Sequence, residues 1–89
     1  MSVPLYQRAH RAVWRASGSF LVASVPPAAP TTIGGSAAQV WHALAEPTTL
    51  DDLAARLAAA SGASHEQVHA DVVALIERLL PLGLVEVVS

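Results

Sequence analysis

The residues that most suggest chemistry are His65-Glu66-Gln67-Val68-His69, a match to the H-E-x-x-H string of zinc hydrolases. On a helix the two histidines stand one turn apart on one face and could share a Zn²⁺, with Glu66 placed to activate a metal-bound water. A catalytic zinc needs a third protein ligand, and the downstream candidates are Glu77 and Glu86. The string falls in the first, solvated turn of its helix, and 89 residues leave little mass to wall a substrate cleft on both sides. In a sequence with four histidines a chance match is the better account, and a small zinc-binding protein is the remote alternative.

His10 and His42 have no partners that suggest a triad. Cysteine is absent and no serine sits in a nucleophile elbow, so acyl transfer lacks a nucleophile. Gly34-Gly35 precedes a helix, but without a following lysine it reads as a strand-to-helix turn rather than an anion cradle. The expectation is a non-enzyme that needs no metal or cofactor.

Binding is better supported than catalysis. Apolar residues reach 53% and charged ones only 13%, against about 25% charged in ordinary soluble domains, so apolar surface is left over for a partner. Charge is unevenly spread. Before Glu46 the charged residues are Arg8, Arg11 and Arg15, a balance of +3. From Glu46 onward seven acids oppose Arg56 and Arg78, a balance of −5, and the two sum to the net −2. With no lysine, a basic patch large enough for nucleic acid is not expected.

The opening Met1-Ser-Val-Pro lacks a secretory layout. The uncharged stretch 16–45 is broken by Gly18, Pro26, Pro27, Pro30, Gly34 and Gly35, so no membrane span is expected. Absence of cysteine fits a reducing compartment, and the expected location is the cytoplasm.

Strand signals fill the front third. Ala12-Val-Trp-Arg15 is short and bulky, and Ser17-Gly18-Ser19 offers a turn. Phe20-Leu-Val-Ala-Ser-Val25 reads as a buried strand ended by Pro26-Pro27, since proline cannot donate to a ladder. Thr31-Thr32-Ile33, bounded by proline and glycine, reads as a short edge strand.

Helices follow. Ser36 is placed to cap a helix to about Ala45, with Ala37, Val40, Trp41 and Leu44 on one face and Trp41 in the core. Thr49 with Asp52 resembles a capping box for a second helix, which Ser61-Gly62 ends. Ser64 with Gln67 opens a third, to about Leu80, with Leu84–Val88 as a final extended segment.

The third helix carries two apolar rows. Val68, Val72, Leu75, Leu79 and Leu82 have core spacing, and beside them run His69, Val73, Ile76 and Leu80. A surface helix needs only one such stripe. The second row either buries the helix on two sides or lines a groove beside the edge strand.

The fold class is α+β: a three-stranded antiparallel sheet followed by three helices, winged-helix-like. It forms one domain over 1–89, with residues 1–10 expected to be flexible. Winged helix-turn-helix DNA binding is the main rival reading. The third helix argues against it, because Glu66, Asp71 and Glu77 oppose Arg78 where a recognition helix needs cations and amides.

The order of parts resembles a known family. The runs are Gly35-Ser-Ala-Ala-Gln-Val-Trp-His-Ala-Leu44, Thr49-Leu-Asp-Asp-Leu53, Ala63-Ser-His-Glu-Gln-Val-His-Ala-Asp-Val72, and Leu75 to Leu80 with Leu82-Gly-Leu-Val-Glu86. Together, over residues 11–88, they resemble the RiPP recognition elements, the PqqD-like domains that bind leader peptides of ribosomally made, post-translationally modified peptides. Gly34-Gly35 departs from the Leu-Asn of many relatives. At this length the chain looks like the leader-binding protein of lasso-peptide clusters, whose partners are a precursor leader peptide, a separate leader peptidase and a cyclase of the same pathway.

The resemblance implies that a leader adds as a strand beside Thr31, Thr32 and Ile33. Its apolar anchors would lie against His69, Val73, Ile76 and Leu80 with Val72 at the floor, and Asp71, Glu77 and Arg78 would orient charged leader residues at the rim.

Overall fold

The computed structural model describes residues 3–88. The order is β1 (Leu5–Arg8), β2 (Val13–Ser17), β3 (Phe20–Ser24), β4 (Thr31–Gly34), α1 (Ser36–Ala43), α2 (Leu50–Ser61), α3 (His65–Leu79) and β5 (Val85–Val88). Strands β2, β3 and β4 form one antiparallel sheet in that order, and β1 pairs with β5 in a second, two-stranded one. The α+β class with a three-stranded sheet and three helices therefore stands.

In the larger sheet Leu21 pairs with Ile33 and Ala23 with Thr31. Alternation along a strand sends successive side chains to opposite faces. Leu21, Ala23 and Ile33 face the core, whereas Phe20 and Thr32 face outward. The segment from Phe20, expected to be buried throughout, is buried on one face only.

The core behind this sheet is made by Val40, Trp41 and Leu44 of α1, Leu53 and Ala54 of α2, and Val68, Val72, Leu75, Ile76 and Leu79 of α3. Leu84 and Val85 complete it. Trp41 is fully buried, as its helical spacing requires. Leu82, expected in the core row of α3, is 44% exposed. The helix closes at Leu79 with Leu80 as its cap, and Gly83 turns the chain at φ 74°. Beyond that point helical spacing no longer applies, and Leu84 goes inward in place of Leu82.

Two of the three expected caps form. Thr49 Oγ1 accepts from the Asp52 amide at 3.1 Å, and Ser64 Oγ accepts from the Gln67 amide at 3.2 Å. Ser36 does not cap: Gly35, at φ 61°, holds the cap position, and Ser36 is already helical. Ser64→Ala is thus expected to cost about 1 kcal/mol in urea unfolding, and Ser36→Ala about nothing. Equal losses in both would contradict this capping assignment.

Leu5–Arg8 lie inside the segment expected to be flexible, yet they form β1. Leu5 pairs with Val88 and Arg8 with Val85. On the other side Tyr6 exchanges two backbone hydrogen bonds with Thr48, at 2.7 and 2.9 Å. A four-residue strand held along both edges clamps the α1–α2 connection to the last strand. No helix among the described residues is long and apolar enough to cross a membrane.

Candidate functional site

Strand β4 pairs with β3 on one side and, among the described residues, with no strand on the other. Arg78 of α3 donates through Nη2 to the Thr32 carbonyl at 3.2 Å, which fixes the direction in which that carbonyl points. In an antiparallel strand the N–H and C=O of one residue point the same way and alternate with those of its neighbours. Thr32 and Gly34 therefore present their backbone groups to the open edge, while Thr31 and Ile33 are committed to β3. The edge offers a two-residue template of donors and acceptors, with one acceptor already engaged by Arg78.

Residues on an α-helix advance about 100° each, so Gln67, Asp71, Ala74 and Leu75 lie within about 60° of Arg78 around the α3 axis. This strip borders β4 and the start of α1. Two hollows open along it. One of about 60 Å³ is lined by Ser36, Ala37, Val40, Asp71, Val72 and Leu75 among others. The larger, about 200 Å³, is lined by Ser36, Gln39, Leu57, Gln67, Val68 and Asp71 among others. Ser36 follows β4 by two residues, so a chain running along the β4 edge would arrive over both.

The expected binding residues separate into three groups. Thr31, Thr32, Asp71 and Arg78 are brought to this border, with Glu77 exposed nearby on α3. Ile33, Val72 and Ile76 are buried in the core, with Val72 at the floor of the smaller hollow and Ile76 about 160° from Arg78 around the helix. His69, Val73 and Leu80 lie about 140–180° from Arg78 around the helix, on the opposite flank. There His69 Nε2 is 3.2 Å from Asp51 Oδ1, and His69 borders a hollow shared with Val3, Pro4 and Tyr6.

Of the second apolar row, His69 thus meets the start of α2 and borders β1, and Ile76 belongs to the core. Ser36, Leu57 and Leu75 also line the hollows along this border, and Leu75 stands one helical turn from Asp71 and Arg78.

The rings of His65 and His69 stack with centroids 6.0 Å apart. Among the described residues no group of three or more His, Asp or Glu side chains is placed to hold a metal ion. On α3, Glu66, Asp71 and Glu77 are exposed together with Arg78, so its outward charge is net negative. Such a face repels phosphate.

Residues 30–85, more than half of the chain, match the family model described as Coenzyme PQQ synthesis protein D (PqqD). The match takes in β4 and all three helices, the elements that build this border. No curated protein and no solved structure matches.

Proposed function

The chain belongs to the PqqD family, the peptide-recognition elements of ribosomal-peptide maturation, and on that premise we propose that it binds the leader of a precursor peptide without acting on it chemically. The leader adds as an extra strand to β4, displaces the Arg78 guanidinium from the Thr32 carbonyl and takes up the backbone groups of Thr32 and Gly34. The carrying observation is the open β4 edge lying against the Asp71–Arg78 strip of α3.

Magnitudes decide how the affinity is divided. Backbone hydrogen bonds contribute roughly 0.5–1.5 kcal/mol each, while association costs about 4–15 kcal/mol in lost freedom. So short a ladder fixes direction and register only. Apolar leader side chains seated in the hollows by Ser36, Leu57 and Leu75 supply the remainder, at about 1.5–3 kcal/mol each when fully buried. Asp71, Glu77 and Arg78 act at the rim, where exposed charges steer encounter more than they hold the complex.

The finer reading follows the sequence resemblance: lasso-peptide maturation in the cytoplasm, with the leader presented to a leader peptidase and a cyclase. The test is fluorescence anisotropy with labelled leader peptides from lasso and other ribosomal-peptide precursors. Ala74→Trp, which fills the exposed strip between Asp71 and Arg78, is expected to weaken the best leader about tenfold or more, near 1.4 kcal/mol. His69→Ala, on the opposite flank, is expected to leave affinity unchanged. The reverse result would move the leader to the other side of α3.

A further inference from the structure

The sheet has a second open edge, β2, and its surroundings differ in character from those of β4. All five residues of β2 are exposed, including Val13 and Trp14. Arg8, half-buried at the end of β1, lies over two indoles, its guanidinium carbon 5.1 Å from the Trp14 ring centre and 5.7 Å from that of Trp41. The rings of Trp14 and Trp41 meet edge to face at 6.3 Å, which holds the cation in a fixed cradle. Beside it opens a cavity of about 210 Å³ lined by Gln7, Arg8, His10, Ala12, Trp14 and Trp41 among others. Trp41 Nε1 is the buried side-chain polar atom without a hydrogen-bond partner among the described residues.

Charge completes the picture. Arg8, Arg11 and Arg15 include every charged residue before Glu46, and none has a carboxylate within ion-pair distance among the described residues. Glu86, next to β1 in the smaller sheet, accepts a hydrogen bond from Gln7 at 2.9 Å. Arg15 pairs with Val22 across β3 and so lies on the outer face, with Phe20, while Trp14 and Arg8 lie on the inner one. Cations thus flank the open β2 edge on both faces of the sheet.

We propose that the cleft between β1 and β2 is a docking site for an acidic, extended segment of a partner protein. The segment adds to the free edge of β2, and one of its carboxylates pairs with Arg8 between Trp14 and Trp41. A second copy of this chain is the poorer occupant. Antiparallel pairing of two β2 strands about their middle residue would set Arg15 against Arg15, and like charges directly opposite are destabilising. The cations of Arg8, Arg11 and Arg15, without carboxylate partners among the described residues, select an acidic occupant over a neutral or basic one. Strands lie about 4.8 Å apart, so β2 and β4 are only about 10 Å apart across one sheet.

The test uses the full chain, ¹⁵N-labelled, titrated with a blocked hexapeptide of alternating glutamate and valine and with its lysine–valine counterpart. Amide shifts on Val13–Ser17 and on the indole N–H groups of Trp14 and Trp41 are expected with the glutamate peptide, weakening as salt is added. Arg8→Gln is expected to weaken binding about tenfold; because Arg8 packs on Trp41, the exposed Arg15→Glu serves as a second variant with the same expected direction. Equal binding of the lysine peptide, shifts confined to Thr32 and Gly34, or no shifts at all would overturn the site. So would a concentration-dependent dimer involving β2 in the absence of peptide. Leader binding at β4 is read separately, on other amides, so either site can fail without the other.

Discussion

Trp41→Ala is expected to remove about 3–5 kcal/mol of stability, a large share of what this domain has. The indole is fully buried and packs within the cluster that joins the sheet to all three helices. Truncating a buried tryptophan to alanine costs about 3–5 kcal/mol, part lost transfer energy and part residual cavity. A domain of this size has a total stability of only about 4–13 kcal/mol at typical per-residue values. Trp41→Phe should lose much less, because it keeps most of the aromatic volume and removes an indole N–H that lacks a partner. Urea unfolding followed by far-ultraviolet circular dichroism reads both. A midpoint for the alanine variant close to that of the parent would mean that Trp41 is not the centre of this core.

The second large effect is on binding, with stability spared. Thr32→Pro removes an N–H that faces the open edge and puts a ring where an incoming strand must lie. Proline is tolerated where the missing N–H faces solvent on an edge strand. Its neighbour Thr31 already has the extended conformation that a residue before proline prefers. The fold should therefore survive while leader binding falls by about tenfold or more, since one ladder bond is lost and the strand cannot approach. Thr31→Pro is the control: its N–H is committed to β3, so the same change one residue earlier should disrupt the sheet itself. Undiminished affinity in a folded Thr32→Pro protein would remove β4 as the docking edge.

Most of the architecture was legible in the sequence because its signals are local. Thr49, Gly62 and Ser64 punctuate the helices through their own hydrogen bonds or backbone conformation. Trp41, Val40 and Leu44 declare a core face by spacing alone. What stayed hidden depends on contacts between distant parts of the chain. Leu5–Arg8 carry no strong strand pattern, and they become a strand only because Val85–Val88 and Thr48 supply partners from the far end.

The side of α3 that borders β4 was hidden for the same reason. Two apolar rows on α3 were visible, yet their spacing cannot tell which one meets β4. The unforeseen strand β1 and the start of α2 answer His69 of the second row. The strip toward β4 is instead mostly small and polar, through Gln67, Asp71 and Ala74, and a hydrophobic pattern cannot report it.

Pairing Leu5 with Val88 sets the start of β1 beside the end of β5, about 5 Å apart at the Cα atoms. A linker of a few residues could therefore join them into a continuous hairpin and allow new ends to be cut elsewhere, for instance in the exposed loop at Ala28-Ala29. Such a rearranged polypeptide would keep both sheets intact, and a label placed at Leu5 or Val88 would sit on the small sheet and leave the β4 rim uncovered.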